Sequence, residues 1–333
     1  MGFLHHRALK SILAGLLVLA ALAGCSQGNS RQQAETASKE PDKAPVQITL
    51  LSPKAPSLIP ALLVERQETT EMKLKVEMWD TIEQLLARIQ SNDVPLVAAP
   101  LNVGANMYAK GLPLQLLHIN TWGSMYLVSL DPGARTLANL DKETVHIPGQ
   151  SGPPDILTHF LLQKEGLEGK VKLAYGTVPD ILQQLAGGTI KHAVLPEPLL
   201  SGLRTKLEGR LNVIVDYRKA WRDTYGEDLP QAGIFVHSRW AKTHREEIVR
   251  FQSSYREALQ QTVKQPEEGM KLAAGAFGMP EAALLEAMPH IGLTFKDAAE
   301  AKPEVERYFN LLLRHAPDSI GGALPDAGFY YGL

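Results

Sequence analysis

The sequence predicts an α/β protein of two lobes, each a mainly parallel sheet flanked by helices, joined by a two-strand hinge. Three observations carry this. Short apolar runs such as Leu96-Val97-Ala98-Ala99 and His192-Ala193-Val194-Leu195 show the continuous hydrophobicity of strands buried on both faces. These runs alternate with segments of helical spacing, the order of a parallel sheet with crossover helices. The pattern starts afresh after Asp131-Pro132-Gly133 and ends in one isolated strand followed only by helices, so the chain builds one lobe, then a second, then returns to the first. A chain of 333 residues also exceeds what one ordinary core organises.

Taken in order, 46–51 reads as a strand, Ser52-Pro53-Lys54-Ala55-Pro56 as a loop, and Ser57 as the N-cap of a helix to about Glu68. Residues 73–78 alternate as a second strand, and Asp80 or Thr81 caps a helix over 82–89. The stretch 96–130 is the organising element. An apolar strand stops at Pro100, Asn102 caps a short helix ended by Gly111-Leu112-Pro113, and a second strand runs to Asn120. The turn Thr121-Trp122-Gly123-Ser124 then leads into a third strand. Strand ends followed by helix starts are where open α/β sheets hold ligands, because free N–H groups point into the crevice there. Pro100–Asn102 and Asn120–Ser124 are therefore the expected wall of a cleft.

In the second lobe, strands over 145–147, 171–175, 192–195 and 211–215 alternate with helices over 155–165 and 178–186 and one opened by Pro196-Glu197-Pro198. Residues 221–230 read as a loop and 231–237 as the returning strand. Helices are expected from Arg239 or Thr243 to Lys264, and over 267–277, 281–287 and 303–314. The tail from Ser319 is Gly-rich and aromatic, and reads as irregular packed structure. The crossings near 120–130 and 220–231 form the hinge.

Hydrophobic content of 44%, charged content of 21% and a net charge of −2 suit a globular protein and exclude the basic face that nucleic-acid binding needs. The single cysteine, Cys25, permits no intrachain disulfide. It follows Arg7, Lys10 and an apolar run over 12–23 that is too short to span a bilayer. With Leu22-Ala23-Gly24 before the cysteine, this segment resembles a bacterial lipoprotein signal peptide. That resemblance implies cleavage before Cys25, lipidation of its thiol and an extracytoplasmic, membrane-anchored protein. Residues 25–45 are small and polar and read as a disordered tether. The expected division is 1–24 signal, 25–45 tether, 46–125 with 231–333 lobe one, and 126–230 lobe two.

Catalytic and metal signatures are missing from the pattern. Gly149-Gln150-Ser151-Gly152 misses a nucleophile elbow by one position, and Gly187-Gly188-Thr189-Ile190-Lys191 lacks P-loop spacing. The eight histidines after Cys25 are scattered, with no pair at metal-ligand spacing. No catalytic residue, cofactor or metal is expected. What remains is a set of polar loops at strand ends. Gly149-Gln150-Ser151 can bring N–H groups to a ligand oxygen without an intervening Cβ, or can simply start a helix. Trp122 and Tyr175 can stack on a ligand or pack in a core. Trp221 is a hinge or lid candidate on the same terms. Glu197 can accept from a ligand N–H or amine, or serve as a carboxylate at the positive end of a helix dipole.

The order of parts resembles type II solute-binding proteins of bacterial ABC importers, closest in local wording to the nitrate/sulfonate/taurine and thiamine-precursor group. The residues carrying the resemblance are 98–106, Asn120-Thr121-Trp122-Gly123, His146-Ile147-Pro148-Gly149 through Pro154-Asp155-Ile156-Leu157, and 192–198. It implies the type II periplasmic-binding-protein fold. It also implies a monomer that closes on a small polar organic solute and presents the closed state to membrane permease subunits. The ligand contacts the resemblance implies are Ser52 and Lys54 of the loop after the first strand, Leu101 and Asn102, Gly149, Gln150 and Ser151, and Glu197; the cleft-wall and stacking readings above add Asn120, Trp122 and Tyr175. Anion binders of this kind often supply Arg or Lys, and here Lys54 alone lies in an expected site loop, so a sulfonate-like anion and a heterocycle or amine both stay open. The rival readings are an enzyme on the same fold, such as a menaquinone-pathway relative, and a sensory module. A thiamine-pyrimidine synthase relative would need a cysteine-rich motif that this chain lacks.

Overall fold

In the computed structural model, which describes residues 45–67, 72–91 and 93–333, β1 (Val46–Ser52) buries Ile48, Leu50 and Leu51 at the centre of the first sheet. It pairs in parallel with β2 (Met72–Met78) and with β3 (Leu96–Pro100). Between them lie α1 (Leu58–Arg66) and α2 (Ile82–Gln90). Thr81 starts α2 with a reciprocal capping box to Gln84, which satisfies two N–H groups the first turn leaves open. After α3 (Leu101–Ala109) the chain returns as β4 (Leu114–Thr121) and crosses to the second sheet, entering it as β5 (Met125–Ser129).

The second sheet is completed by β6 (Thr144–Pro148), β7 (Lys172–Gly176), β8 (His192–Pro196) and β9 (Asn212–Asp216). The helices α4 (Pro153–Lys164), α5 (Val178–Ala186) and α6 (Leu199–Lys206) connect them. Then α7 (Tyr217–Tyr225) precedes the second crossing, and β10 (Ala232–His237) returns to the first sheet. The chain continues through α8 (Ser238–Ala241), α9 (Arg245–Lys264), α10 (Pro266–Phe277) and α11 (Glu281–Ala287). An edge strand, β11 (Leu293–Asp297), leads into α12 (Ala298–His315), and two 3-10 turns end the chain.

The strand orders are β11-β4-β10-β3-β1-β2 and β7-β6-β8-β5-β9. The same arrangement is built twice. β10 lies antiparallel between β3 and β4, and β5 lies antiparallel between β8 and β9. Each reversed strand is the first one laid down after a crossing. A chain arriving from the other sheet enters at the edge where the parallel strands end, so it must run away from that edge. The carboxyl ends of both sheets therefore border the crossings.

Lobe-one helices reach both faces of the second sheet. On one side Tyr308 of α12 packs edge-on against Trp221 of α7, ring centres 6.0 Å apart. On the other, Thr205 of α6 donates to Glu286 of α11 at 3.1 Å. One apolar cluster runs from Leu51, Val97 and Leu116 of the first sheet to Val145 and Ile147 of the second and Leu157 of α4.

Several expectations are corrected. Residues 221–230 are not all loop: Asp216 caps α7 by accepting from Lys219 N, and Gly226 ends it in the left-handed conformation. Trp221 is consequently a buried helix residue packed among Phe160, Tyr225 and Tyr308. β11 was not expected, and α12 begins five residues ahead of Pro303, which sits inside it. The N-cap of α3 is Pro100, not Asn102. α1 ends at Arg66 with Gln67 as its C-cap, and Glu68, the expected end, lies outside the described residues. The expected signal segment, Cys25 and residues 25–44 of the tether lie outside the described residues. Among the described residues no helix is long and apolar enough to cross a membrane.

Candidate functional site

Two straps join the sheets, Trp122–Ser124 and the segment 226–231, and their bonding defines the floor between the strand ends. The Gln231 carbonyl accepts from Leu101 N at 3.0 Å, and Gln231 N donates to the Thr121 carbonyl at 3.0 Å. The Gln231 side-chain oxygen accepts from the Ser124 hydroxyl at 3.2 Å. The Ser124 carbonyl in turn accepts from Glu197 N at 2.7 Å. A chain of hydrogen bonds thus runs from the start of α3 in one lobe to the end of β8 in the other.

Leu101 and Glu197 each follow the last residue of a strand, β3 and β8, and both are bonded to this floor through their N–H groups. Leu101 is fully buried and contributes only its backbone. Asn102 stands half-buried in the first turn of α3, which has no side-chain cap. Glu197 is 2% exposed. Its carboxylate accepts from Ser201 N at 3.0 Å and from the Ser201 hydroxyl at 3.1 Å. Burial pushes its pKa up to about 7, against the Ser201 bonds and Arg204, which lower it, while Glu286 raises it.

Asn120 and Trp122 have their polar atoms committed elsewhere. Asn120 is buried, donates to the Tyr255 hydroxyl at 3.0 Å and accepts from Thr121 at 2.9 Å, and Tyr255 donates to the Ser57 carbonyl at 2.8 Å. The Trp122 indole donates to the Thr294 carbonyl at 2.8 Å. Both residues stiffen the base of the strap on the lobe-one side.

Gly149, Ser151 and Tyr175 gather on the second sheet around a residue that sequence reasoning did not single out as a contact, Asp155. Gly149 N donates to the Gly176 carbonyl at 3.2 Å, which folds the β6–α4 loop onto the end of β7. Asp155 accepts from Ser151 N at 2.8 Å and from the Tyr175 hydroxyl at 3.0 Å, with His159 Nε2 3.4 Å away. Tyr175 is 38% exposed, so its ring forms surface while its hydroxyl is fixed. Its pKa is pushed up to about 12 by burial and by the Asp155 carboxylate. Gln150 is exposed on the same loop. The signal for Asp155 was present: an acid at the third position of a helix starting at Pro153 is where side chains reach back to the preceding N–H groups.

On the first sheet, the Ser52 hydroxyl donates to the Pro53 carbonyl at 3.1 Å and Lys54 is exposed in the loop after β1. The missed neighbour here is Trp79. Its N–H donates to the Ser52 carbonyl at 3.1 Å and its indole to the Ala98 carbonyl at 3.2 Å, so it fills the end of the sheet between β1 and β3. A separate apolar cavity of about 440 Å³, bounded by Leu199, Gly202 and Leu203 on one side and Met279, Pro280 and Ala283 on the other, contains none of the expected contacts. Among the described residues no group of three or more His, Cys, Asp or Glu could hold a metal ion.

No protein-family model matches the sequence, and no curated protein does. Solved structures do. The chain is similar to an ABC transporter protein of Parabacteroides distasonis, with TM-score 0.75 and 25% identity over 85% of this chain and 98% of that one. It is similar to the periplasmic aliphatic sulphonate binding protein SsuA of Escherichia coli, with TM-score 0.66 and 17% identity over 85% and 94%. A third likeness is to the periplasmic nitrate-binding protein NrtA of Synechocystis, with TM-score 0.59 and 12% identity over 86% and 84%. The chain has the two-lobe fold of these ABC-transporter periplasmic binding proteins, the fold its sequence led one to expect.

Proposed function

We propose that this protein is the substrate-binding component of an ABC importer, capturing a small polar organic solute between lobes 46–125 with 231–333 and 126–230. The observation that carries the reading is the pair of hydrogen-bonded straps at the carboxyl ends of two sheets, in a chain that shares its fold with periplasmic binding proteins. A solute touching both lobes stabilises the closed arrangement, and only that differential affinity can signal occupancy to a permease. The likeness of the segment before Cys25 to a lipoprotein signal supports an extracytoplasmic protein on a lipid anchor, with residues 25–45 as its tether. Sulfonate and nitrate, the ligands of the named neighbours, define one solute class; a heterocycle or amine defines the other. In this reading the solute is bound and released unchanged.

The test is a melting screen of the purified protein against both classes, with each hit checked for conversion. A true ligand at one hundred times its Kd adds about 2.7 kcal/mol to stability. A hit that is consumed overturns the transport reading, and lobe closure on binding, read by small-angle scattering, supports it.

A further inference from the structure

The apolar cavity of about 440 Å³ lies where α5 and α6, which connect strands of the second sheet, face α10 and α11, which follow the return to the first. On α6, Leu199, Gly202, Leu203 and Lys206 recur at helical spacing and share one face. Opposite, Gly278 ends α10 in the left-handed conformation and Pro280 precedes α11, so the turn between them carries Met279 against α6. Gly202 makes that approach possible: a Cβ there would lie 2.7 Å from Met279 Cε. Thr205 of α6 and Glu286 of α11 close the same contact with their hydrogen bond. Beside it, Leu182 and Ala186 of α5 and Ala282 and Ala283 of α11 complete an apolar groove between the two sets of helices.

The space is about three times the roughly 150 Å³ apolar cavity that takes up a benzene, which leaves room for a hydrocarbon chain or a two-ring body. Burial of such a body against leucine, methionine and alanine supplies the drive to bind. The charges at the groove set the head group. Two charged residues line it, Lys206 and Glu286. Glu286 already accepts from Thr205. Lys206 has no ion-pair or side-chain hydrogen-bond partner among the described residues, and the same last turn of α6 carries a second cation, Arg204. A lysine stem can line apolar surface while its ammonium stays at the water's edge. The unspent charge at the groove is therefore positive, and it complements an anionic head.

We propose that this groove is a second binding site, for a small amphiphilic acid whose hydrocarbon body lies between α6 and the α10–α11 turn and whose carboxylate meets Lys206. The walls come from helices of both sheets, so the bound acid touches both sides and stabilises the arrangement in which α6 rests on α11. None of the expected solute contacts lines the groove, so the inference stands apart from the solute-binding reading.

The experiment uses three probes with one body and different heads: decanoate, decan-1-ol and decan-1-amine. Each is titrated into the full chain by calorimetry, below the concentration at which it forms micelles. Decanoate should bind at least about tenfold more tightly than decan-1-amine. K206E should weaken decanoate about tenfold and leave decan-1-ol unchanged. A186W and A282W, at exposed positions on α5 and α11, fill the groove from opposite sides. Each should weaken decanoate about tenfold or more with little change in the melting of the free protein. Decanoate binding that survives either bulky variant lies elsewhere or does not bridge the two sides, and overturns the inference. So does an amine that binds as tightly as the acid, or a titration with decanoate that shows no binding. None of these results bears on the solute-binding reading, which its own screen decides.

Discussion

The Ser124 hydroxyl donates to the Gln231 side-chain oxygen at 3.2 Å, so the two straps between the lobes are tied to each other as well as to the sheets. Ser124 is buried, and its removal leaves Gln231 Oε1 without that donor. S124A is expected to lower unfolding free energy by about 1–2 kcal/mol, measured by denaturant titration. Because the same bond couples strap to strap, S124A should also broaden the range of lobe separations seen by scattering. An unchanged stability and an unchanged scattering profile would show that the bond is incidental.

Gly292 packs against the first strap. Trp122 N donates to its carbonyl at 2.7 Å, and its own N–H donates to the Gly123 carbonyl at 3.1 Å. A Cβ placed on Gly292 would lie 2.2 Å from the Trp122 carbonyl oxygen, which is backbone and cannot swing aside. G292A should therefore destabilise the protein by about 2–4 kcal/mol, or displace the strap from β11. A melting temperature within a degree of the parent protein would mean the strap is far more compliant than its bonding indicates. G275A, where a new Cβ meets nothing within 4 Å, serves as the matched control.

How much of this was readable in the sequence depended on burial. Buried runs such as Leu96–Pro100 and His192–Pro196 declared themselves, because strands covered on both faces show unbroken hydrophobicity. α7 did not. In its sequence Tyr217-Arg218-Lys219-Ala220-Trp221 only Tyr217 and Trp221, one turn apart, are fully buried, too few to show a helical period. Asp216 and Gly226 at its ends were the available signals. β11 is an edge strand with an interrupted register against β4, so half its pattern is set by solvent. The site was legible as loops and not as contacts. Strand ends located Gly149–Ser151 and Glu197, whereas the pairing of Asp155 with Tyr175, twenty residues on, is a tertiary fact with no local trace.

The loop itself can be tested apart from the fold. Ser151 is exposed, sits at φ 59° and donates its N–H to Asp155, a bond its side chain does not enter. S151W keeps that backbone bond and adds bulk to the β6–α4 loop. Both side chains carry a Cβ at this left-handed φ, so stability should fall by about 1 kcal/mol or less, while affinity for the tightest-binding ligand of the melting screen falls about tenfold or more. An affinity equal to that of the parent protein would remove this loop from the site.

Glu197 makes stability depend on pH in a defined direction. Burial raises its folded pKa to about 7, above the ordinary value of 4.5, so the folded state holds a proton that the unfolded state has already released between those limits. Folding is consequently favoured most below about pH 4.5, as far as this group is concerned, and that contribution is lost as pH rises through about 7. The groups acting on it are Ser201 and Arg204 of its own helix, which favour the charged form, and Glu286 of α11, which opposes it. The expected size over the window is about 3 kcal/mol at most, reduced by whatever water reaches the site on lobe opening. E197Q removes the titration. Plotted against pH, the difference in unfolding free energy between parent and E197Q should fall for the parent between about pH 5 and 7 and level off above that. A difference that is flat across the window, or that rises with pH, would mean Glu197 is ionised in the folded protein throughout, held so by a stronger hydrogen-bond field than the two Ser201 donors supply.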